Sequence, residues 1–84
     1  PNPFNPSTTI SYDVATPGLV SLRIYDVSGR LVRTLVDEWK GIGRFDQMWD
    51  GTNNNGTTVT TGVYFYRMTA PGFESRTRKM LLLK

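Results

Sequence analysis

The alternation of Val20, Leu22 and Ile24 with Ser21, Arg23 and Tyr25 constrains this chain more than any other feature, because a period of two suits a half-buried β-strand and no helix. The pattern recurs. Over Thr8–Val14, Ile10, Tyr12 and Val14 face one way and Thr9, Ser11 and Asp13 the other. Phe45, Gln47 and Trp49 share a face of a run that ends at Asp50, with Gln47 its one polar member. In Gly62–Met68 the inward set is Tyr64, Tyr66 and Met68, since Arg67 assigns Val63 and Phe65 to the other side. A last strand runs from about Glu74 to Leu83 with Met80 and Leu82 inward. Only Arg30–Trp39 resists: Leu31 and Leu35 oppose Val32 and Val36, so alternation does not choose its buried face.

Turn chemistry separates these runs. Pro17-Gly18 predicts a turn with Gly18 at positive φ, Asp26-Val27-Ser28-Gly29 a reversal between two hairpin strands, and Pro71-Gly72 another turn. Gly41 and Gly43 interrupt the pattern, and Asp50–Gly56 is dense enough in Asn and Gly to be an exposed loop. Thr57–Thr60 is the candidate for a seventh strand. Regularly spaced short strands with neither helical periodicity nor an internal repeat predict an all-β, antiparallel sandwich of about seven strands, immunoglobulin-like or fibronectin-like. The sandwich occupies residues 8–84. Residues 1–7 are an extended linker end, because Pro1, Pro3 and Pro6 fix φ and remove amide donors. Pro1 is no initiator Met, and the chain reads as a portion of a longer precursor.

A single domain of 84 residues buries roughly 60–65% of its unfolded surface, which leaves little volume for an enclosed site. Cys and His are both absent, which excludes thiolate and imidazole chemistry, disulfides and nearly all transition-metal sites. The net charge of +3 owes much to Arg76, Arg78 and Lys79, so the surface reads as mixed in charge and nucleic acid is not expected as a partner. No cofactor is expected.

Few residues invite a chemical reading. Asp50 with Thr52, Asn53, Asn54 and Asn55 offers hard oxygens, yet Asn55 stands where a calcium loop needs Gly, so a structural turn is favoured and calcium left open. Asp37 and Glu38 are adjacent on a strand and point to opposite faces, so they cannot flank one bond. Trp39, beside Glu38 and Lys40, is the one candidate for an exposed ring that stacks on sugars, against the plainer expectation of edge packing. Arg76, Arg78 and Lys79 read either as a solvated, aggregation-resisting edge or as contacts for anionic headgroups.

Several motifs, in order, carry a resemblance over nearly the whole chain: Pro1–Pro6, Tyr25–Val36, Trp49-Asp50-Gly51, Gly62–Arg67 and Thr77–Met80. Together they resemble the C-terminal sorting domains of the type IX secretion system (type A) and the closely similar immunoglobulin-like domain of flagellar hook-capping proteins. The resemblance implies a non-catalytic sorting domain of a larger secreted bacterial protein, read by an outer-membrane machine after passage through the periplasm. Its partners would be that secretion machinery and the parent protein N-terminal to it, and its destination the medium or the cell surface. On that reading Arg76, Arg78, Lys79 and Lys84 are the candidates for receptor recognition. The alternatives are an accessory carbohydrate-binding or spacer module of an extracellular enzyme, and a structural subunit that self-associates through its sheet edges.

Overall fold

The computed structural model describes residues 7–73 and 75–83 and contains six strands: β1 (Thr8–Val14), β2 (Gly18–Tyr25), β3 (Leu31–Lys40), β4 (Gly43–Trp49), β5 (Gly62–Thr69) and β6 (Thr77–Leu82). All pairings are antiparallel. β1 and β4 form a two-stranded sheet, and the other four lie in the order β3-β2-β5-β6. Ile10, Tyr12, Val14 and Trp49 from the smaller sheet meet Val20, Leu22, Ile24, Val36, Tyr64, Met68 and Leu82 from the larger one in a single core. Alternation predicts all of these inward except Val36, whose strand it does not resolve. The lead-in assigned to residues 1–7 falls almost wholly outside the described residues, as do Glu74 and Lys84.

Trp49 is fully buried between the sheets, its indole edge-to-face with Tyr64 at 5.2 Å and its Nε1 donating to the Thr52 carbonyl at 2.9 Å. The polar member of the same face is also accommodated. Gln47 lies opposite Ile10, half-buried, and its Nε2 donates to the Met48 carbonyl at 3.1 Å.

The ambiguity of the third strand has a physical origin. Leu22 pairs with Val36 but Arg23 with Thr34, and Ile24 pairs with Arg33 but Tyr25 with Leu31, so Leu35 and Val32 are extra residues at two β-bulges. Each bulge resets the alternation. Val32, Leu35 and Val36 consequently all pack on the core, an arrangement that no strict period of two can describe.

Three expectations need correction. Among the described residues the sandwich has six strands rather than about seven, because Thr57–Thr60 forms only a bridge between Thr58 and Thr52. Backbone groups there close a loop instead: the Thr57 amide donates to Asn53 Oδ1 and the Val59 amide to the Gly51 carbonyl. Within the last strand, pairing begins at Thr77, later than the sequence suggested. Finally, Gly18 is not a positive-φ turn residue; it opens β2, paired with Lys40, and a Cβ built on it would overlap the Pro71 ring. Close approach, not φ, requires glycine there. Gly29 does have φ 85°, in a turn where Asp26 Oδ1 accepts from the Ser28 amide, the Ser28 hydroxyl and the Arg30 amide.

Candidate functional site

The three cations read as one cluster are divided by the strand that carries them. Arg78 pairs with Tyr66 and Lys79 with Phe65, so Arg78 shares the inner face of the larger sheet with Tyr66 and Met80 while Lys79 points outward beside Phe65. Arg76, just before β6, joins Arg78 at the rim of a notch. Of the four residues expected to meet a receptor, the structure brings Arg76 and Arg78 together at the notch and places Lys79 on the opposite face, while Lys84 lies outside the described residues.

The notch has a volume of about 230 Å³. Four consecutive residues of β1, Ile10 to Asp13, line one wall. Consecutive strand residues point alternately inward and outward, so it is the backbone edge of β1, on the side away from β4, that looks into the notch. Tyr66 and Met68 of β5 line it too, and Phe73 joins the two arginines at its rim. The cause is a mismatch in width. Among the described residues two strands face four and cannot cover them, and Tyr66 stays only half-buried between the buried Tyr64 and Met68. Sequence reasoning missed this feature because alternation tells which face of a strand is buried and not how many strands lie opposite.

Trp39 is exposed, at 63%, and pairs across β2 and β3 with Leu19, exposed at 72%. The ring and its aliphatic neighbour together form an exposed apolar ridge. The Asn-rich loop uses its oxygens internally. Asp50 Oδ1 accepts from the Thr52 amide and hydroxyl at 3.1 and 2.6 Å, and Asn53 Oδ1 from the amides of Asn55 and Thr57. Asn54 reaches the edge of β3, its amide donating to the Val32 carbonyl and its Oδ1 accepting from the Thr34 amide. Arg33 adds a hydrogen bond to Thr52 Oγ1 at 2.5 Å and lies 3.7 Å from Asp50. The loop is therefore a strap on β3.

Every described carboxylate has a local partner: Asp13 with Arg44, Asp37 with Arg23, Glu38 with Lys40, Asp46 with Ser11, Asp26 with Ser28 and Asp50 with Thr52. Asp37 and Glu38 do point apart. The Ser28 hydroxyl holds the Asp26 carboxyl below its ordinary range, and the Thr52 hydroxyl does the same for Asp50. Burial pushes the Tyr12 phenol up. Among the described residues no three carboxylates, thiols or imidazoles gather as a metal would require.

The family model for the FlgD Ig-like domain matches residues 7–72 of this chain. The chain belongs to that family. The FlgD Ig-like match spans β1 to β5 and ends in the Pro71-Gly72 turn, so β6 with Arg76, Arg78 and Lys79 lies beyond it. Neither a curated protein nor a solved structure matches the chain.

Proposed function

We propose that this FlgD Ig-like domain is a non-catalytic sorting unit of a larger exported bacterial protein, read by an outer-membrane translocation machine through the folded sandwich and its last strand. The observation that carries the reading is the position of β6, which pairs only with β5 among the described residues and so presents a sheet edge next to Arg76 and Arg78. An edge strand offers a receptor a row of directional backbone groups, and the neighbouring guanidinium groups add oriented charge. The motifs Thr77–Met80 and Gly62–Arg67, which resemble sorting domains, fall on β6 and its partner. The described carboxylates, each tied to a neighbour, support a role without chemistry of its own.

The test is export. Fused to a periplasmic reporter in a bacterium that has the type IX machine, the domain carries the reporter to the surface or medium, and Arg76→Gln with Arg78→Gln and Lys79→Gln reduces that transfer. These three positions are exposed, so each substitution alters stability by only about 0.5 kcal/mol. A reporter that stays in the periplasm while a known sorting domain exports it rejects the reading. An accessory module for polysaccharide is the second reading, favoured by the exposure of Trp39 alone, and a glycan array separates the two.

A further inference from the structure

We propose that the notch beside β1 is an acceptor site for an extended peptide segment of a partner protein, which adds to the smaller sheet as a third strand and places a carboxylate against Arg76 and Arg78. The geometry points to a strand. Ile10 to Asp13 look into the notch edgewise, and alternate residues of β1 direct their N–H and C=O groups away from β4 with no described strand to receive them. A two-stranded sheet is marginal alone, and a third strand at this edge would also cover the part of the larger sheet that two strands leave open.

The lining sets the chemistry of the occupant. Tyr66 and Met68 offer an apolar floor, and about 230 Å³ exceeds the roughly 150 Å³ known to hold a benzene, so one bulky apolar side chain fits. Arg76 and Arg78 then stand at the rim as exposed cations, and among the described residues neither lies within 4.0 Å of a carboxylate. Side chains two residues apart on a strand share a face. The fitting segment therefore carries a large apolar residue and, two positions away, an Asp or Glu, which the guanidinium forks grip in the bidentate manner that lysine does not match. This inference shares Arg76 and Arg78 with the sorting reading but rests on the edge of β1 rather than β6, and its binding test needs no secretion machine, so either can fail without the other.

A fluorescein-labelled, end-blocked peptide Thr-Val-Thr-Leu-Thr-Glu-Thr, titrated with the full chain, tests it by anisotropy. Saturable binding is expected, with a loss of about tenfold or more when the peptide's Glu becomes Lys or the protein carries Arg76→Gln and Arg78→Gln. N-methylation of alternate peptide amides should block binding in one of its two phases and spare it in the other, because only one set faces β1. Equal binding by both methylated forms removes the strand geometry, and equal binding by the Lys peptide removes the charge match. The proposal is overturned if no saturable binding occurs up to about 1 mM. It is also overturned if sedimentation shows a dimer that the peptide does not dissociate, since the occupant is then a second copy. An unchanged melting temperature in the double variant keeps loss of binding distinct from loss of fold.

Discussion

Replacing Trp49 with alanine probes the closure of the two sheets at its centre. The side chain is fully buried, and truncating a buried Trp typically costs about 3–5 kcal/mol. Two features place Trp49 toward the upper end. The edge-to-face contact with Tyr64 adds about 0.5–1.5 kcal/mol beyond area burial, and the hydrogen bond to Thr52 about 1 kcal/mol. At roughly 0.05–0.15 kcal/mol per residue, a domain of 84 residues has about 4–13 kcal/mol to lose. Trp49→Ala is thus expected to remove a third of that stability at least.

Urea unfolding followed by far-ultraviolet circular dichroism is the suitable assay, because the remaining Trp39 is exposed in the native state and its emission reports folding poorly. With a slope of about 1–2 kcal/mol per molar urea, the midpoint should fall by about 2–5 M, or the variant be unfolded without urea. Trp49→Phe keeps a ring against Tyr64 but loses the indole donor, so its midpoint should lie between those of Trp49→Ala and the parent. A midpoint for Trp49→Ala within about 0.5 M of the parent would refute the assignment of this ring to the core.

Gly18→Ala should lower stability by about 1–3 kcal/mol through overlap with Pro71, and Pro71→Ala should restore part of it in the double variant. Asp26 and Asp50 both titrate below their ordinary 3.8 when folded, which makes their contribution fully present above that pH and lost as the pH falls through the lower native values. Melting temperature should accordingly drop below pH 3.8, less steeply in Asp26→Asn with Asp50→Asn; parallel profiles for the two proteins would contradict this. Because Asp50 and Asn53 already accept bonds within the loop, millimolar calcium should leave the melting temperature unchanged, and a saturating rise that Asp50→Ala abolishes would show ligation instead. Trp39→Ala should change stability by no more than about 0.5 kcal/mol, a larger loss meaning that the ring packs more than its exposure indicates.

The legible part of the sequence was local. Ile10, Tyr12 and Val14, or Val20, Leu22 and Ile24, declare their buried face because each strand keeps an unbroken period of two, and Asp26–Gly29 declares its turn through an Asp side chain that reaches its own backbone. What stayed hidden depends on pairing across long separations. The bulges at Val32 and Leu35 appear only when β3 is set against β2, and the close approach of Gly18 to Pro71 joins residues more than fifty positions apart. Arg76, Arg78 and Lys79 look like one cluster on paper because sequence proximity ignores the pleat. The notch is less legible still, since it follows from the unequal number of strands that the described residues place in the two sheets.

The two flanks of the larger sheet manage their edges by opposite means, and the difference bears on which partners each can meet. Along β3, Asn54 bonds to Val32 and Thr34 and Arg33 holds Thr52, so the loop occupies backbone groups that would otherwise template a foreign strand. No described residue does this for β6 or for the facing edge of β1. Charge stands there instead. Two copies that met edge to edge across this flank would bring Arg76 and Arg78 of one toward those of the other, and unscreened like charges in close contact oppose such pairing. An acidic strand meets the reverse condition, attracted by the cations that hold a second copy away. Raising the salt concentration should therefore act in two directions, weakening capture of the acidic peptide while lowering the barrier to self-association, whereas a flank blocked by a covering loop would respond to salt in neither respect.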